Sequence, residues 1–400
     1  MLKIRDINYR LRNLLLFNES SKFKYVVLLI FYLFAIFLWG IPAAIVQRMI
    51  HIKLKVGILP TNYIGHFIYE VDKLLNSKEI NEQKVFFASQ SNISNYAFFS
   101  VVKKRFKILP RFVILPIYIA NKILFDKSNK YIVKLGSPVK IDQSSFQKKW
   151  FEFDSTENFD LKKFFPSYDE SKPLICFFLR QQINDNNYTL INSSSYRNVT
   201  LDNYFPLFRS LANDFNLINM GRGKKDSVDD SANEIFSYLN SKLQSDVNDL
   251  ILTSMSDICV TTDSGSVMIP LLFQRKIVQT NLSLHGYFSG PSSTLFLLKH
   301  HRCLKSGQLL TFRQLIDLGI QEITDQYKFD NLKIQVVENS LEELLELGLE
   351  IKSLYDGSWK PSKTNELIYD KIHSRYTTLN PPSGTFFPNY WVSKNLWFFD

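Results

Sequence analysis

Four groups of residues have the types and spacing that chemistry asks for. His66 and Glu70 stand four apart in YIGHFIYEV. That spacing puts an imidazole and a carboxylate on one helix face, where His66 is the first candidate for a general base and Glu70 the second. Arg180 closes the apolar run LICFFL; an arginine at the carboxyl end of a central strand suits an anion better than a core. Arg222 lies in the basic glycine turn Gly221-Arg222-Gly223-Lys224-Lys225. Thr262-Asp263-Ser264-Gly265-Ser266 is an elbow of small polar residues between the strand-like ICVT and the apolar VMIPLLF. Backbone N–H groups and the positive end of a following helix converge at such an elbow, and glycine lets a ligand come close, which suits a phosphate. Arg180, Arg222 and the elbow would neutralise a diphosphate leaving group while His66 takes a proton from an acceptor hydroxyl; no metal is required. The plainer readings are a capped βαβ crossover at the elbow and a solvated histidine at 66.

The elements that must position these groups follow from apolar patterning. Short β-rich runs mark strands at Lys55–Leu59, Val85–Ala88, Leu174–Leu179, Phe215–Met220, Ile258–Thr261, Lys276–Thr280 and Thr294–Lys299, and the continuous apolar run Leu174–Leu179 is what a buried parallel strand requires. Helical spacing covers 64–75, Tyr96–Val102, Thr200–Asp214, Ala232–Leu243, Val247–Met255, Val267–Phe273, Thr311–Leu318, Leu341–Leu354 and Asn365–Tyr376. Strands alternating with helices predict an α/β chain, doubly wound in its second half. Four hundred residues imply about two domains. The polar stretch from Asp154 to Pro173 marks the boundary, giving 51–168 and 169–330, with an apolar segment in 1–50 and a helical, aromatic tail in 331–400 that docks on the body.

Between Tyr25 and Val46 no residue is charged, and the run is about long enough to cross a bilayer. Gly40 and Pro42 interrupt it and basic residues flank both ends, so a spanning helix, a bent monotopic helix and a buried core helix all fit. The heavier basic count before the segment would put the body outside the cytoplasm. A second stretch, VVKKRFKILPRFVILPIYIANKILF, interleaves Lys103, Lys104, Arg105, Lys107 and Arg111 with large apolar residues. It reads as a surface for anionic headgroups or a lipid-linked acceptor, or as a core helix and strand with solvated lysines.

The net charge of +10 would also fit nucleic acid, but no recognised binding module holds the basic residues. A composition 45% hydrophobic and 22% charged is globular. Cys176, Cys259 and Cys303 have no metal-ligand spacing, and the first two lie in strand-like runs as core residues. HExxH, GxxxxGK[ST] and a well-formed GxGxxG are absent, which argues against zincin, P-loop and dinucleotide enzymes. A serine hydrolase would want GxSxG, and Asp263-Ser264-Gly265 lacks the first glycine. Asn184-Asp185-Asn186 reads as a solvated loop rather than a ligand set.

Several of these motifs carry a resemblance. Gly65-His66 in PTNYIGHFIYEVD, Arg180 in CFFLRQQ, Tyr196-Arg197-Asn198 before DNYFPLFRSL, Met220-Gly221 in LINMGRG, FLLKHHRCLKSGQLLTFRQLI and TTDSGSVMIPLLFQRKIVQTN, which ends on Asn281, resemble a bacterial family of glycosyltransferases from lipopolysaccharide and capsule gene clusters. The likeness covers roughly residues 50 to 320 and is strongest from 174 to 284. The elbow is similar to the T-D-[ST]-G turn of heptosyltransferases, which faces the donor's phosphates. The resemblance implies a GT-B-like pair of Rossmann-type domains. It further implies a nucleotide-sugar donor near Arg180, Arg222, Thr262, Asp263, Ser264, Gly265, Ser266 and Asn281, and a lipid-linked or glycan acceptor. Gln181-Gln182 departs from it, since an acidic residue is expected soon after the arginine. Because nucleotide-sugars are cytoplasmic, it favours a body on the cytoplasmic face of the inner membrane, attached by residues 25–46 without crossing. A non-catalytic membrane-surface scaffold or glycan-binding protein would keep the same fold.

Overall fold

The computed structural model describes residues 22–49, 54–76, 84–89, 92–125, 131–133, 135, 151, 159–163, 165–181, 194–220, 235–238, 241–290, 293–379 and 381–400. Two compact units divide the chain, Met1–Pro138 and Val139–Asp400. The division falls upstream of the 168/169 boundary expected from composition, and the tail belongs to the second unit.

Among the described residues the first unit opens on one long helical segment: α1 (Lys22–Ala35), a π-helical turn (Ile36–Gly40) and α2 (Ile41–Met49). The π turn sits where Pro42 removes a backbone donor from the ladder. There follow β1 (Leu54–Leu59), α3 (Ile64–Asn76), β2 (Lys84–Ser89), α4 (Tyr96–Arg105), β3 (Lys107–Ile108), α5 (Arg111–Phe125) and β4 (Ile132–Val133). The strands are parallel in the order β3-β2-β1-β4. Right-handed crossovers put α3 and α4 on one face and α5 on the other, because the chain reverses direction across the sheet after β3. Strand alternation agrees. Val56 and Ala88 join Ile114, Leu115 and Ile119 of α5 in one core, while Phe87 meets Phe106, just after α4, with ring centroids 5.4 Å apart.

That topology distributes the basic residues of 103–111, read in sequence as a headgroup surface or as a core helix and strand with solvated lysines, over three elements. Lys103, Lys104 and Arg105 close α4, at the sheet edge opposite the one where His66 opens α3, and Lys107 lies in β3. Arg111 starts α5 on the other face, half-buried beside Tyr32. Alternating charge and apolar residues in sequence gave no sign that the strand between them turns the chain over.

The second unit holds β5 (Leu174–Phe178), α6 (Phe205–Ala212), β6 (Asn216–Asn219), β7 (Phe236–Ser237), α7 (Asp246–Met255), β8 (Ile258–Thr261), α8 (Met268–Leu272), β9 (Lys276–Leu282), α9 (Leu284–Ser289) and β10 (Leu295–Leu298). Its strands are also parallel, in the order β10-β9-β8-β5-β6-β7. Numbered from β5, this is the doubly wound order 3-2-1-4-5-6, which the Rossmann fold shares. β5 and β8 are buried throughout, as strands covered on both faces must be. Cys176 and Cys259 face each other across them in register, and burial raises both thiols, Cys259 to about 12. The helix expected over Ala232–Leu243 is replaced, among the described residues, by β7, whose pairing to β6 outweighs local helical spacing.

Beyond the sheet, β11 (His300–Cys303) pairs antiparallel with β12 (Ile334–Val337). Between them lie α10 (Phe312–Asp317) and α11 (Gln326–Leu332); after them come α12 (Leu341–Asp356), α13 (Lys363–Arg375) and α14 (Asn389–Lys394). The acidic helix α12 receives the aromatic tail. Glu343 accepts from Trp391 Nε1 at 2.6 Å, and Glu350 accepts from Trp359 Nε1 and the backbone N–H groups of Asn389 and Tyr390. Phe386 pairs with the edge strand, its carbonyl accepting from Phe296 N at 3.0 Å.

Candidate functional site

β5 and β8 are sheet neighbours whose onward connections leave in opposite directions. The crevice beyond their carboxyl ends is where open α/β sheets bind ligands. Arg180 follows β5 and the elbow follows β8, so both lie at this point. They are tied together: Arg180 N donates to Thr262 Oγ1 at 2.9 Å, and Thr262 N donates to Phe178 O at 3.2 Å. Thr262 is fully buried and its hydroxyl acts inside this clamp.

The rest of the elbow divides by exposure. Asp263 is buried; its Oδ1 pairs with Arg197 Nη2 at 3.0 Å and its Oδ2 accepts from Ser283 Oγ. Arg197 Nε donates to Asp263 O at 2.9 Å. The close seat of Asp263 requires Gly286, where a Cβ would come within 2.8 Å of Leu282 and 3.1 Å of the carboxylate. Ser264, Gly265 and Ser266 remain partly or fully exposed. Ser264 Oγ accepts from Ser266 N at 3.2 Å and lies 2.8 Å from Ser266 Oγ. The expected helix over Val267–Phe273 is instead a 3-10 turn, Gly265–Val267, and the five-residue α8. Its backbone closes at Gln274, which is left-handed at φ 53°, with Arg275 N returning to Pro270 O. So short a helix contributes little dipole, and the elbow's affinity for anions must come from its own N–H and hydroxyl groups.

Asn281, also left-handed at φ 51°, has 0% exposure. Its N–H donates to Asn339 Oδ1 and its Oδ1 accepts from Asn339 N, both at 2.7 Å, while Nδ2 donates to Tyr204 at 2.9 Å. The residue is a brace under the edge, with its polar groups spent inside the protein.

Three residues that the sequence reading assigned no role complete the edge. Asn198 Oδ1 accepts from Arg180 Nε at 3.1 Å, and its carbonyl accepts from Lys299 Nζ at 2.6 Å. Lys299 follows β10 and is 3% exposed; burial lowers its pKa to about 8, against the pull of Glu338 and Asp263. Arg180 is lowered as well, by burial first and by the charge of Arg197 second. Arg180, Arg197 and Lys299 thus face two carboxylates, Asp263 and Glu338, and an added anion would relieve their mutual repulsion. Lys299, Asn198, Tyr196, Gln326, Asp330 and Glu338 help to line a cavity of about 470 Å³. Glu338 accepts from Thr200 N and Oγ1, both at 2.9 Å, and Asp330 accepts from Gln326 Nε2 at 2.9 Å. The cavity therefore offers carboxylates and amides to hydroxyl groups, while the Arg180 side offers positive charge. Next to Lys299, His301 is buried with both ring nitrogens lacking hydrogen-bond partners, and burial drops its pKa to about 3, which keeps it neutral.

In the first unit, His66 and Glu70 occupy α3 beyond the carboxyl end of β1. The loops after β1 and β2 are joined there by Thr61 Oγ1 to Asn92 O at 2.8 Å and Ser94 N to Thr61 O at 2.7 Å. His66 is exposed, with the Tyr63 ring 6.1 Å away, whereas Glu70 is 1% exposed. His66 is the accessible member of the pair. Arg222, with its glycine turn, and Asn184-Asp185-Asn186 lie outside the described residues. Among the described residues no three His, Cys, Asp or Glu side chains gather as a metal site.

No protein-family model and no curated protein matches the chain. The ADP-heptose lipopolysaccharide heptosyltransferase II of E. coli aligns at 11% identity and a TM-score of 0.34, over 56% of this chain and 84% of that one. A protein described as a UDP-N-acetylglucosamine 2-epimerase from Listeria monocytogenes aligns at 11% identity and 0.33, over 78% and 98%. Neither likeness bears on the chemistry.

Proposed function

We propose that the chain is a GT-B-like glycosyltransferase. It moves a sugar from a nucleotide-activated donor to a lipid-linked or glycan acceptor in bacterial surface-polysaccharide synthesis, at the cytoplasmic face of the inner membrane. The observation that carries this reading is the gathering of Arg180, Arg197 and Lys299 around Asn198 and the exposed Ser264-Gly265-Ser266 elbow, at the switch point between β5 and β8. A diphosphate there meets fixed positive charge and N–H donors, which stabilise it most when it carries the extra charge of a leaving group. The neighbouring cavity, with its carboxylates and amides, suits the hydroxyl groups of a ribose or hexose. His66 accepts the proton of the acceptor hydroxyl. The scheme assigns no step to a metal.

Thermal unfolding with a panel of nucleoside diphosphates tests the reading. A ligand that binds only the native state raises the apparent stability, by about 2.7 kcal/mol at a hundred times its Kd. One or more nucleotides should shift the transition and then support transfer with the matching nucleotide-sugar. A flat response across the panel would favour the scaffold.

A further inference from the structure

We propose that the apolar N-terminal segment does not cross the bilayer. Instead α1, the π turn and α2, together with α5, form a seat lying in the plane of an anionic phospholipid leaflet, with the whole chain on one side. This deepens the membrane part of the proposed function and is independent of nucleotide binding.

The segment Val26–Met49 is long and apolar enough to span, but one of its faces is already occupied by protein. Tyr32, Ala35, Ile36, Gly40, Ala44 and Gln47 are buried, recurring at steps of three or four residues with Ala35 and Ile36 adjacent, which makes a single stripe. At Gly40 the segment touches α5 so closely that a Cβ would sit 2.7 Å from Pro116 O. Gln47 Oε1 accepts from Asn121 Nδ2 of α5 at 2.9 Å, and the Arg48 guanidinium lies 4.7 Å from the centre of the Tyr131 ring. α5 in turn covers β1, β2 and β4, and the core runs unbroken from Tyr32 and Ile36 through Ile114 and Leu115 to Val56 and Ile132. The segment is therefore an outer layer of an α/β sandwich. A spanning helix needs lipid around it. Here that would tear this core open or draw a parallel sheet, with its open edges, into hydrocarbon, where unpaired backbone groups have no partners.

The opposite face explains what covers it. Ile30, Phe34, Phe37, Leu38, Val46 and Met49 are exposed, and α5 adds exposed Phe112 and Ile123. A water-facing surface does not leave so many large apolar side chains together. The charges on these helices are Lys22, Lys24, Arg48, Arg111 and Lys122, all positive. No Asp or Glu occurs between Glu19 and Glu70, or between Glu82 and Asp126. Lys122 is exposed beside this face, and an apolar surface on helices whose only charges are positive complements anionic headgroups over acyl chains and would repel an acid-free copy of itself.

Two experiments on the full chain test this. In the first, Cys303 is replaced by Ser and single cysteines are placed at Ser20→Cys, before the segment, and Ser77→Cys, in the body; sealed membrane vesicles are then treated with an impermeant thiol reagent. Labelling of both sites from the same side supports the seat; labelling from opposite sides overturns it. In the second, the purified chain is sedimented with phosphatidylcholine vesicles with and without phosphatidylglycerol. At least tenfold tighter binding to the anionic vesicles, lost in Phe34→Asp/Phe37→Asp with the circular dichroism unchanged, is expected. Equal binding to both vesicles, retention by the double variant, or a lipid-free homodimer that this variant dissociates would overturn the proposal. Nucleotide binding is read separately, so a chain that binds nucleotide yet crosses the bilayer would refute the seat alone.

Discussion

The carboxyl edges of the two sheets share the strand order 3-2-1-4 and differ in almost everything built on it. In the second unit the edge is a braced polar lattice. Arg197–Asp263–Ser283, Asn281–Asn339–Leu298 and Arg180–Asn198–Lys299 each link segments distant in sequence. In the first unit the described edge joins its loops by Thr61–Asn92 and Ser94–Thr61 hydrogen bonds above an aromatic core in which Phe67 and Phe98 meet edge to face at 4.8 Å, and it exposes His66. A topology thus fixes where a ligand can approach, and the side chains decide what approaches. Buried, mutually repelling cations suit a charged donor, whereas an accessible imidazole on an apolar frame suits proton transfer.

That division can be broken at either edge. His66→Ala should lower transfer by about 10²–10⁴-fold, the usual contribution of a general base, without changing nucleotide affinity. Steady-state kinetics and calorimetric titration check this, and full turnover in the variant would remove the first edge from the chemistry. Asp263→Ala should destabilise the protein by about 3 kcal/mol in chemical denaturation, the low end for a broken buried ion pair because Arg197 keeps 27% exposure. An unchanged midpoint would mean that the lattice does not brace the edge. A smaller effect comes from Lys299, whose protonated form attracts an anion and whose pKa is about 8. That form is complete well below pH 8 and lost above it. Diphosphate affinity should therefore fall as pH rises from 7 to 9.5, by about tenfold, or ~1.4 kcal/mol. Lys299→Met should flatten the profile.

The features legible in sequence were those set by local pattern. LICFF and ICVT are apolar on both faces, so β5 and β8 were visible, and the residues ending them followed. Lys299 ends a buried strand in the same way as Arg180, and that signal was present in TLFLLK. Arg197 and Asn198 stood out only as part of the motif Tyr196-Arg197-Asn198, and their role was not legible because they come from an irregular segment whose position depends on Asp263 and Lys299, both remote in sequence. Thr262 was found in the elbow and Asn281 through the resemblance, but sequence gives no measure of burial, and both prove to be spent on internal bonds. The N-terminal segment shows the same limit. Its composition permits a span, and only the helix packed along its small residues shows that one face is taken.

The central claim is that the β5–β8 edge holds a nucleoside diphosphate through fixed positive charge. Its most direct measurement is calorimetric titration of the full chain and of Arg180→Ala with the best diphosphate from the panel. Loss of a hydrogen bond to a charged group, ~1.5–3 kcal/mol, predicts binding to wild type that weakens by about 10–100-fold in the variant, measured at a temperature where both proteins are fully folded. Equal affinity of the two proteins, or no heat from either, would contradict it.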